Sequence, residues 1–242
     1  MELIRLQKVI AENSNYSRRK AETLITQKKV IVNGKVITEL GTKVNPNDEI
    51  IVDGEVLYTH EKVYYLLNKP IKCISTRSDE KDRLTVVDLI EEKEKIYPVG
   101  RLDYYTSGIL LLTNDGVLAN GLMHPRYRIP KTYRVKFEGN FDKESLYQLI
   151  NGVDIGGYKT KKAIVKVLEY NKFKKQGKIE ITIFEGKNAQ VRRMFQAINT
   201  KVLTLKRIKY AFLELDHERL APGEYRQLKP KEIAKLYNLI NK

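Results

Sequence analysis

Residues 99–116 read VGRLDYYTSGILLLTNDG. The run from Gly108 to Thr113 is short, continuous and apolar, and it ends in the turn sequence Asn114-Asp-Gly116, so it predicts a buried strand closed by a turn. Asp103 lies in the polar turn just before this strand. An unpaired carboxylate at such a place is costly, so we expect a cation or several hydrogen-bond donors around it.

The chain beyond residue 60 alternates β-like runs with occasional helical patterns. Apolar residues at helical spacing in 188–199 and 230–241, and a third segment at about 142–151, predict three helices. Further strands are expected at 64–67, 96–99, 132–137, 163–169, 178–184 and 202–215. This order predicts an α+β domain over residues 61–242, with a mainly antiparallel or mixed sheet flanked by helices.

Residues 1–60 predict a small separate domain. Two helices are expected first, and they are followed by β segments at 30–32 and 50–52, each ending in an Asn-Gly or Asp-Gly turn. Ser17 is the expected cap of the second helix. The domain is therefore predicted to be a helix-helix-hairpin module.

The start of that second helix is the strongest candidate for anion binding in this domain. Residues 1–60 hold nine Lys/Arg, and six of them fall between Arg18 and Lys35. A helix N-terminus offers unpaired N–H groups to an anion, and basic side chains add charge at the same place. The RNA-binding candidates are Ser17, Arg18, Arg19 and Lys20, with a merely solvated helix start as the alternative.

The overall charge favours a polyanionic partner. The 242 residues carry a formal charge of +15, and the pI is about 9.6, which draws phosphate-rich molecules. The longest apolar runs fall far short of the roughly 20 residues that a membrane span needs, and no secretion signal is visible, so a cytoplasmic location away from membranes is expected. The single cysteine excludes an intrachain disulfide, and with three scattered histidines it argues against a metal centre.

Three segments predict parts of one site: 100–108 around Asp103, 131–135 (KTYRV) and 185–194 (EGKNAQVRRM). Arg192 and Arg193 are the candidate cations for the carboxylate. Neighbouring helix positions point about 100° apart, so only one of the two should face inward. The apolar side of the helix favours Arg192 for the inner edge and Arg193 for a phosphate contact.

Several other chemistries fit poorly. Glycoside hydrolysis needs a second carboxylate, and Asp115 is separated from Asp103 by a strand of about 20 Å. No nucleophile elbow surrounds Ser107, and no phosphate-binding loop ends in Lys-Ser or Lys-Thr. One carboxylate, one cation and one tyrosine suit covalent or base catalysis at a sugar carbon or its α-proton, without metal or cofactor.

The string GRLDYYTSGILLLTNDG, with NKP upstream and KTYRV and EGKNAQVRRM downstream, resembles the pseudouridine synthases of the small-subunit and large-subunit ribosomal RNA group, the RsuA/RluB-type family. Residues 1–60 resemble their N-terminal S4 RNA-binding domain. The resemblance implies that a specific uridine in ribosomal RNA is isomerised to pseudouridine without a cofactor. The implied partner is folded ribosomal RNA with a flipped target uridine, or a ribosome-assembly intermediate, bound by a monomer.

The resemblance also implies roles for individual residues. Asp103 is the implied catalytic group, acting at the ribose C1′–C2′ region as nucleophile or base. Tyr133 is implied to stack on the flipped base and to be a candidate for removing the C5 proton. Arg192 is implied to pair with the aspartate, with Arg193 as second choice, and Arg101 to hold the flipped nucleotide. Lys131 and Lys187 are further RNA-binding candidates.

The sequence departs from the family pattern at two positions. Tyr105 stands where Asp or Asn is usual, and Lys72 stands where the family has glycine. Similarity in LMHPRY (122–127), KRIKYAFLEL and GEYRQL favours the large-subunit branch. The alternatives are a small-subunit 16S enzyme, an RNA-binding or ribosome-assembly protein on a catalytically idle scaffold, and a basic globular protein in which Asp103 only caps a turn.

Overall fold

The computed structural model describes residues 3–215 and 220–241. The chain forms two compact units: an N-terminal unit of residues 1–63 with 92–95 and 114–116, and a large unit made of 64–91, 96–113 and 117–242. The domain boundary after residue 60 stays a prediction. Among the described residues, no helix combines the length and the apolar character needed to cross a membrane.

The N-terminal unit is a pair of helices beside short antiparallel strands. Its elements are β1 (Ile4–Arg5), α1 (Leu6–Glu12), α2 (Arg18–Thr26), β2 (Val30–Val32), β3 (Lys35–Val36), β4 (Lys43–Val44), β5 (Ile50–Val52) and β6 (Glu55–Val56). The strands form a sheet in the order β3-β2-β5-β6, and β1 pairs with β4. The predicted cap is present, because the Lys20 backbone N–H donates to Ser17 Oγ at 3.1 Å.

The large unit is built on one mixed sheet of nine strands. In chain order its elements are β7 (Tyr64–Lys69), β8 (Tyr97–Pro98), β9 (Thr106–Thr113), α3 (Gly116–Met123), a 3-10 turn (Pro125–Tyr127), β10 (Lys131–Glu138), α4 (Lys143–Asn151), β11 (Ile164–Asn171), β12 (Gln176–Ile183), α5 (Gln190–Ala197), β13 (Lys201–Tyr210), β14 (Leu213–Glu214), β15 (Tyr225–Gln227) and α6 (Pro230–Ile240). The main order is β11-β12-β10-β13-β9-β7-β15, with β14 on β13 and β8 on β9. The predicted α+β class with a mixed sheet is confirmed.

The predicted strand 202–215 is wrong as one continuous element. It stops at Tyr210 because Ala211 adopts the left-handed conformation (φ 55°), which turns the chain so that β14 pairs back on β13. Helix α3 was not expected from the sequence either. The other two deviations are extensions by a residue or two at strand ends.

The close contact that places the site is the parallel pairing of β13 with β9, where Arg207 lies opposite Gly108. A Cβ at Gly108 would meet the Arg207 carbonyl oxygen at 2.1 Å, and the backbone there has φ +108°. Only glycine satisfies both conditions. The glycine of the Thr-Ser-Gly segment therefore brings the Arg207 strand against the strand that follows Asp103.

Candidate active site

The large unit contains a cavity of about 620 Å³ at the end of β10, β12 and β13. Its wall includes parts of all three segments that the sequence singled out: 100–103, Lys131 with Tyr133, and 185–191. Residues far apart in the chain thus converge on one pocket. Such a concave site with several convergent polar groups is typical of a substrate pocket.

Asp103 lies on a loop that is fixed by a fully buried lysine. The Lys69 ammonium, at the end of β7, donates to the carbonyls of Pro70 (3.0 Å), Asp103 (3.2 Å) and Thr106 (2.9 Å). Burial lowers the pKa of Lys69 to about 8, partly offset by the Cys73 thiol and the Asp103 carboxylate. A cation with three backbone acceptors holds the loop closed behind the carboxylate.

A second anchor acts on the residue before Asp103. Ser75 Oγ accepts from the Leu102 N–H at 3.1 Å and donates to the Leu102 carbonyl at 2.9 Å. The Asp103 side chain itself is only partly buried and lines the cavity. The loop therefore presents a fixed carboxylate to a bound molecule.

Tyr133 and Arg207 form the opposite wall. They are register partners on β10 and β13, both are buried, and both line the cavity. Arg207 Nε donates to the Ile109 carbonyl at 2.8 Å, and its Cζ lies 5.0 Å from the Tyr210 ring centroid. Within the described residues Arg207 Nη2 is buried without a hydrogen-bond partner, so it is a donor available to a ligand.

Lys131 is part of the cavity wall rather than an open surface. Its Nζ donates to the Ile129 carbonyl at 3.1 Å. Burial lowers the pKa of Lys131 to about 8, and the charge of Arg207 acts in the same direction while Glu185 opposes it. The site therefore concentrates cations around one exposed carboxylate.

The 185–190 loop is held by buried Glu185. This carboxylate accepts from the Tyr158 hydroxyl (2.5 Å), the Lys161 N–H (2.9 Å) and Gln190 Nε2 (2.8 Å). Lys187 stays exposed on the loop, with its Nζ 4.3 Å from the Tyr158 ring centroid. Lys187 is therefore placed at the cavity rim for an anionic ligand.

The two arginines of α5 lie outside the cavity wall. Gln190 and Val191 form the inward face there, so Arg192 points past the cavity and its Nη2 donates to the Tyr105 carbonyl at 3.0 Å. The ion pairs of the described residues do not include one between Arg192 and Asp103. Arg193 Nη2 donates to the carbonyls of Ile155 and Gly156. The expected pairing is replaced by a contact with the backbone of the Asp103 loop.

The remaining candidates are exposed. Arg101 lines the cavity with an exposed side chain. Ser17 and the three basic residues after it are exposed at the start of α2 in the N-terminal unit, where Arg18 lies 3.9 Å from Glu12. Lys69 and Arg207 were missed as site residues, because basic side chains on a strand of a +15 protein are typical of a solvated face.

The two departures from the family pattern have local explanations. Lys72 adopts the left-handed conformation, φ 60°, which is the region that favours glycine, and its N–H donates to the Tyr104 carbonyl at 2.7 Å. Tyr105 is exposed, and its backbone carbonyl, not its side chain, receives Arg192. Neither departure alters the groups that face the cavity.

Comparison with known proteins agrees with this site. The family model for RNA pseudouridylate synthase matches residues 63–197, and the S4 domain model matches residues 4–50. The chain therefore belongs to the RNA pseudouridine synthases, in the group that carries an S4 domain.

Individual relatives narrow the comparison. The chain is 51% identical over 233 residues to the ribosomal large subunit pseudouridine synthase B of Bacillus subtilis (strain 168), covering 96% of this chain and 95% of that protein. It is 39% identical to an uncharacterized RNA pseudouridine synthase of Aquifex aeolicus (strain VF5), over 98% and 95% of the two chains. A solved structure described as a pseudouridylate synthase matches with a TM-score of 0.68 at 32% identity, over 96% and 99%.

Proposed function

We propose that this pseudouridine synthase modifies a specific uridine of large-subunit ribosomal RNA and that Asp103 is its catalytic carboxylate. The observation that carries the role of Asp103 is its position on a loop fixed by Lys69 and Ser75, facing the same cavity as Tyr133 and Arg207. The similarity to a relative named for the large subunit supports the target.

The target base must leave its stack to reach this cavity. Extrusion costs a few kcal/mol, and stacking on an aromatic ring recovers part of that cost. Tyr133 is the aromatic residue placed for it. Arg101 and Lys187 at the rim are placed to hold the ribose phosphates on either side.

The reaction exchanges bonds within one nucleotide. Asp103 attacks or deprotonates the ribose at C1′–C2′ as the N1–C1′ bond breaks. The released uracil turns, C5 bonds to C1′, the C5 proton is lost and N1 gains one, so no co-reactant is consumed. Uracil carries negative charge while it is detached, and the free Arg207 Nη2 and the Lys131 ammonium are preorganised to stabilise that charge.

In this proposal Arg192 is a positioning residue. It holds the Tyr105 carbonyl, two residues after Asp103, whereas a direct pairing with the carboxylate would be made only when substrate is bound. Ser17, Arg18, Arg19 and Lys20 would supply phosphate contacts from the N-terminal unit, and Arg193 would add one if it exchanged its carbonyl acceptors for a phosphate.

The decisive experiment maps pseudouridines in both ribosomal RNAs. Carbodiimide treatment and primer extension would be applied to a strain lacking the gene, then to the same strain carrying wild type or Asp103→Asn. We expect one large-subunit site to be lost, restored by wild type and not by the variant, whose rate should fall at least about 10³-fold. Retention of every site in the deletion strain would overturn the ribosomal target, and a fully active Asp103→Asn would overturn the mechanism.

A further inference from the structure

The turn between β11 and β12 carries an unusual surface, Lys172-Phe173-Lys174-Lys175, which we call the basic tip. The Phe173 side chain is 100% exposed, and the three lysines beside it are exposed as well. A fully solvated phenyl ring contributes nothing to the core and leaves apolar surface in water. The fold therefore gives no reason for an aromatic residue at this place.

The basic tip is rigidly mounted, and none of its anchors uses Phe173. The Lys174 N–H donates to Asn171 Oδ1 at 2.9 Å, and the Gly139 N–H donates to the Lys175 carbonyl at 2.7 Å. Below the tip, the Tyr170 hydroxyl donates to the Gly139 carbonyl at 3.1 Å, and its ring packs on Phe137 and Phe141. Phe173 can therefore be replaced without loosening the hairpin.

The basic tip is distant from the cavity along the same strands. β10 and β12 pair from Lys131 with Ile183 at the cavity end to Glu138 with Gln176 at the tip end. Seven residue steps of strand correspond to about 23 Å. Any molecule that touches both places must be long, and the family's substrate, RNA, is such a molecule.

We propose that the basic tip is an accessory RNA-binding site, in which Phe173 stacks on an unpaired base and the flanking lysines contact its neighbouring phosphates. The inference rests on the proposed function for the identity of the RNA. An aromatic face suits any unstacked base, and a ring surrounded by three cations is complementary to a base surrounded by phosphates. Bases inside a duplex have both faces covered, so the ligand is a loop or bulge.

A tryptophan at this position gives a direct readout, because the chain contains none. Phe173→Trp in the full chain would be titrated with a large-subunit RNA fragment around the mapped uridine, while binding is followed independently by filter retention. We expect the tryptophan emission to change and acrylamide quenching to drop as the RNA saturates. Unchanged emission with saturated binding would overturn the proposal.

The energetic test uses Phe173→Ala. We expect Kd for the fragment to rise about 5- to 100-fold, with an unchanged rate at saturating RNA. Replacing all three lysines by serine should lower the salt slope of log Kd by about 2 to 3. The matched control is Tyr147→Ala, an equally exposed aromatic residue on α4, which should change neither quantity.

Two further arms separate the explanations. An RNA shortened so that it cannot reach beyond the cavity should bind wild type and Phe173→Ala equally, and a persisting difference would contradict a distant contact. Emission from Phe173→Trp that responds to phosphatidylglycerol vesicles and not to RNA would replace the proposal by a membrane contact. If wild type forms no pseudouridine in the fragment, the proposed target fails; if it does and Phe173→Ala binds normally, only the basic tip inference fails.

Discussion

Lys69 is the residue on which the geometry of the Asp103 loop depends. Lys69→Met would leave the carbonyls of Pro70, Asp103 and Thr106 buried without their donor. We expect the free energy of unfolding to fall by about 3 kcal/mol, and kcat to fall more than KM rises. Urea unfolding and single-turnover pseudouridine formation measure the two effects. Lys72→Met, at an exposed site three residues away, is the control that should leave both unchanged.

The titration of Lys69 predicts opposite effects of alkaline pH on activity and on stability. Its pKa is about 8 in the folded protein and 10.5 in its ordinary state. Between these values the unfolded chain binds a proton that the native lysine has lost, so this group makes stability rise with pH in that window. The rate should nevertheless decline above about pH 8, since the clamp loses its charge and Lys131 titrates in the same range. A rate profile that stays flat from pH 7 to pH 9.5 would contradict this.

Arg207 gives a prediction for the chemical step. Its Nη2 is buried at the cavity without a partner among the described residues, so Arg207→Met should remove a preorganised donor that acts on the detached uracil. We expect kcat to fall about 10²- to 10³-fold, with Kd for RNA changed little. Equal losses in kcat and RNA affinity would indicate that Arg207 serves binding instead. Thermal unfolding of the variant controls for the lost bond to Ile109.

At the scale of elements, the parallel contact of β9 with β13 depends on one glycine. Gly108→Ala would place a methyl group 2.1 Å from the Arg207 carbonyl oxygen at φ +108°. We expect a loss of about 3 kcal/mol or more in the free energy of unfolding, because the clash is with backbone that cannot move aside. Gly186→Ala, which meets nothing within 4 Å, should unfold like wild type in the same denaturant series.

Local patterns predicted the elements whose signal lies within a few residues. The apolar run of β9, the Ser17 cap of α2 and the helical spacing of α5 all appear where expected. Helix α3 was missed because it follows directly on a turn sequence and contains two glycines. The burial of Lys69 and Arg207 depends on pairings between distant strands, which no local pattern encodes. The same distance explains why Asp103 was found while the cations around it were not.

At the scale of the whole molecule, the charge of +15 predicts strongly salt-dependent RNA binding. Replacing Arg18, Arg19 and Lys20 by serine should reduce the slope of log Kd against log salt by about 2 to 3, since each lost phosphate contact removes 0.7 to 0.9. Filter binding from low to moderate salt measures the slope. Lys143→Ser with Lys231→Ser, both exposed on other helices, should alter it less, and an equal change would mean that the start of α2 is not a contact surface.

The strand pairings also order the events by which this enzyme comes into being. The Asp103 loop leaves the ribosome long before β13, which carries Arg207 and Tyr210, and β15, which pairs with β7 at the other end of the large unit. Such long-range closures are slow, because the intervening chain must be ordered before they form. A nascent chain therefore holds the carboxylate without the far wall of its pocket. Catalytic competence arrives only with the last strands, as a property of the finished polypeptide.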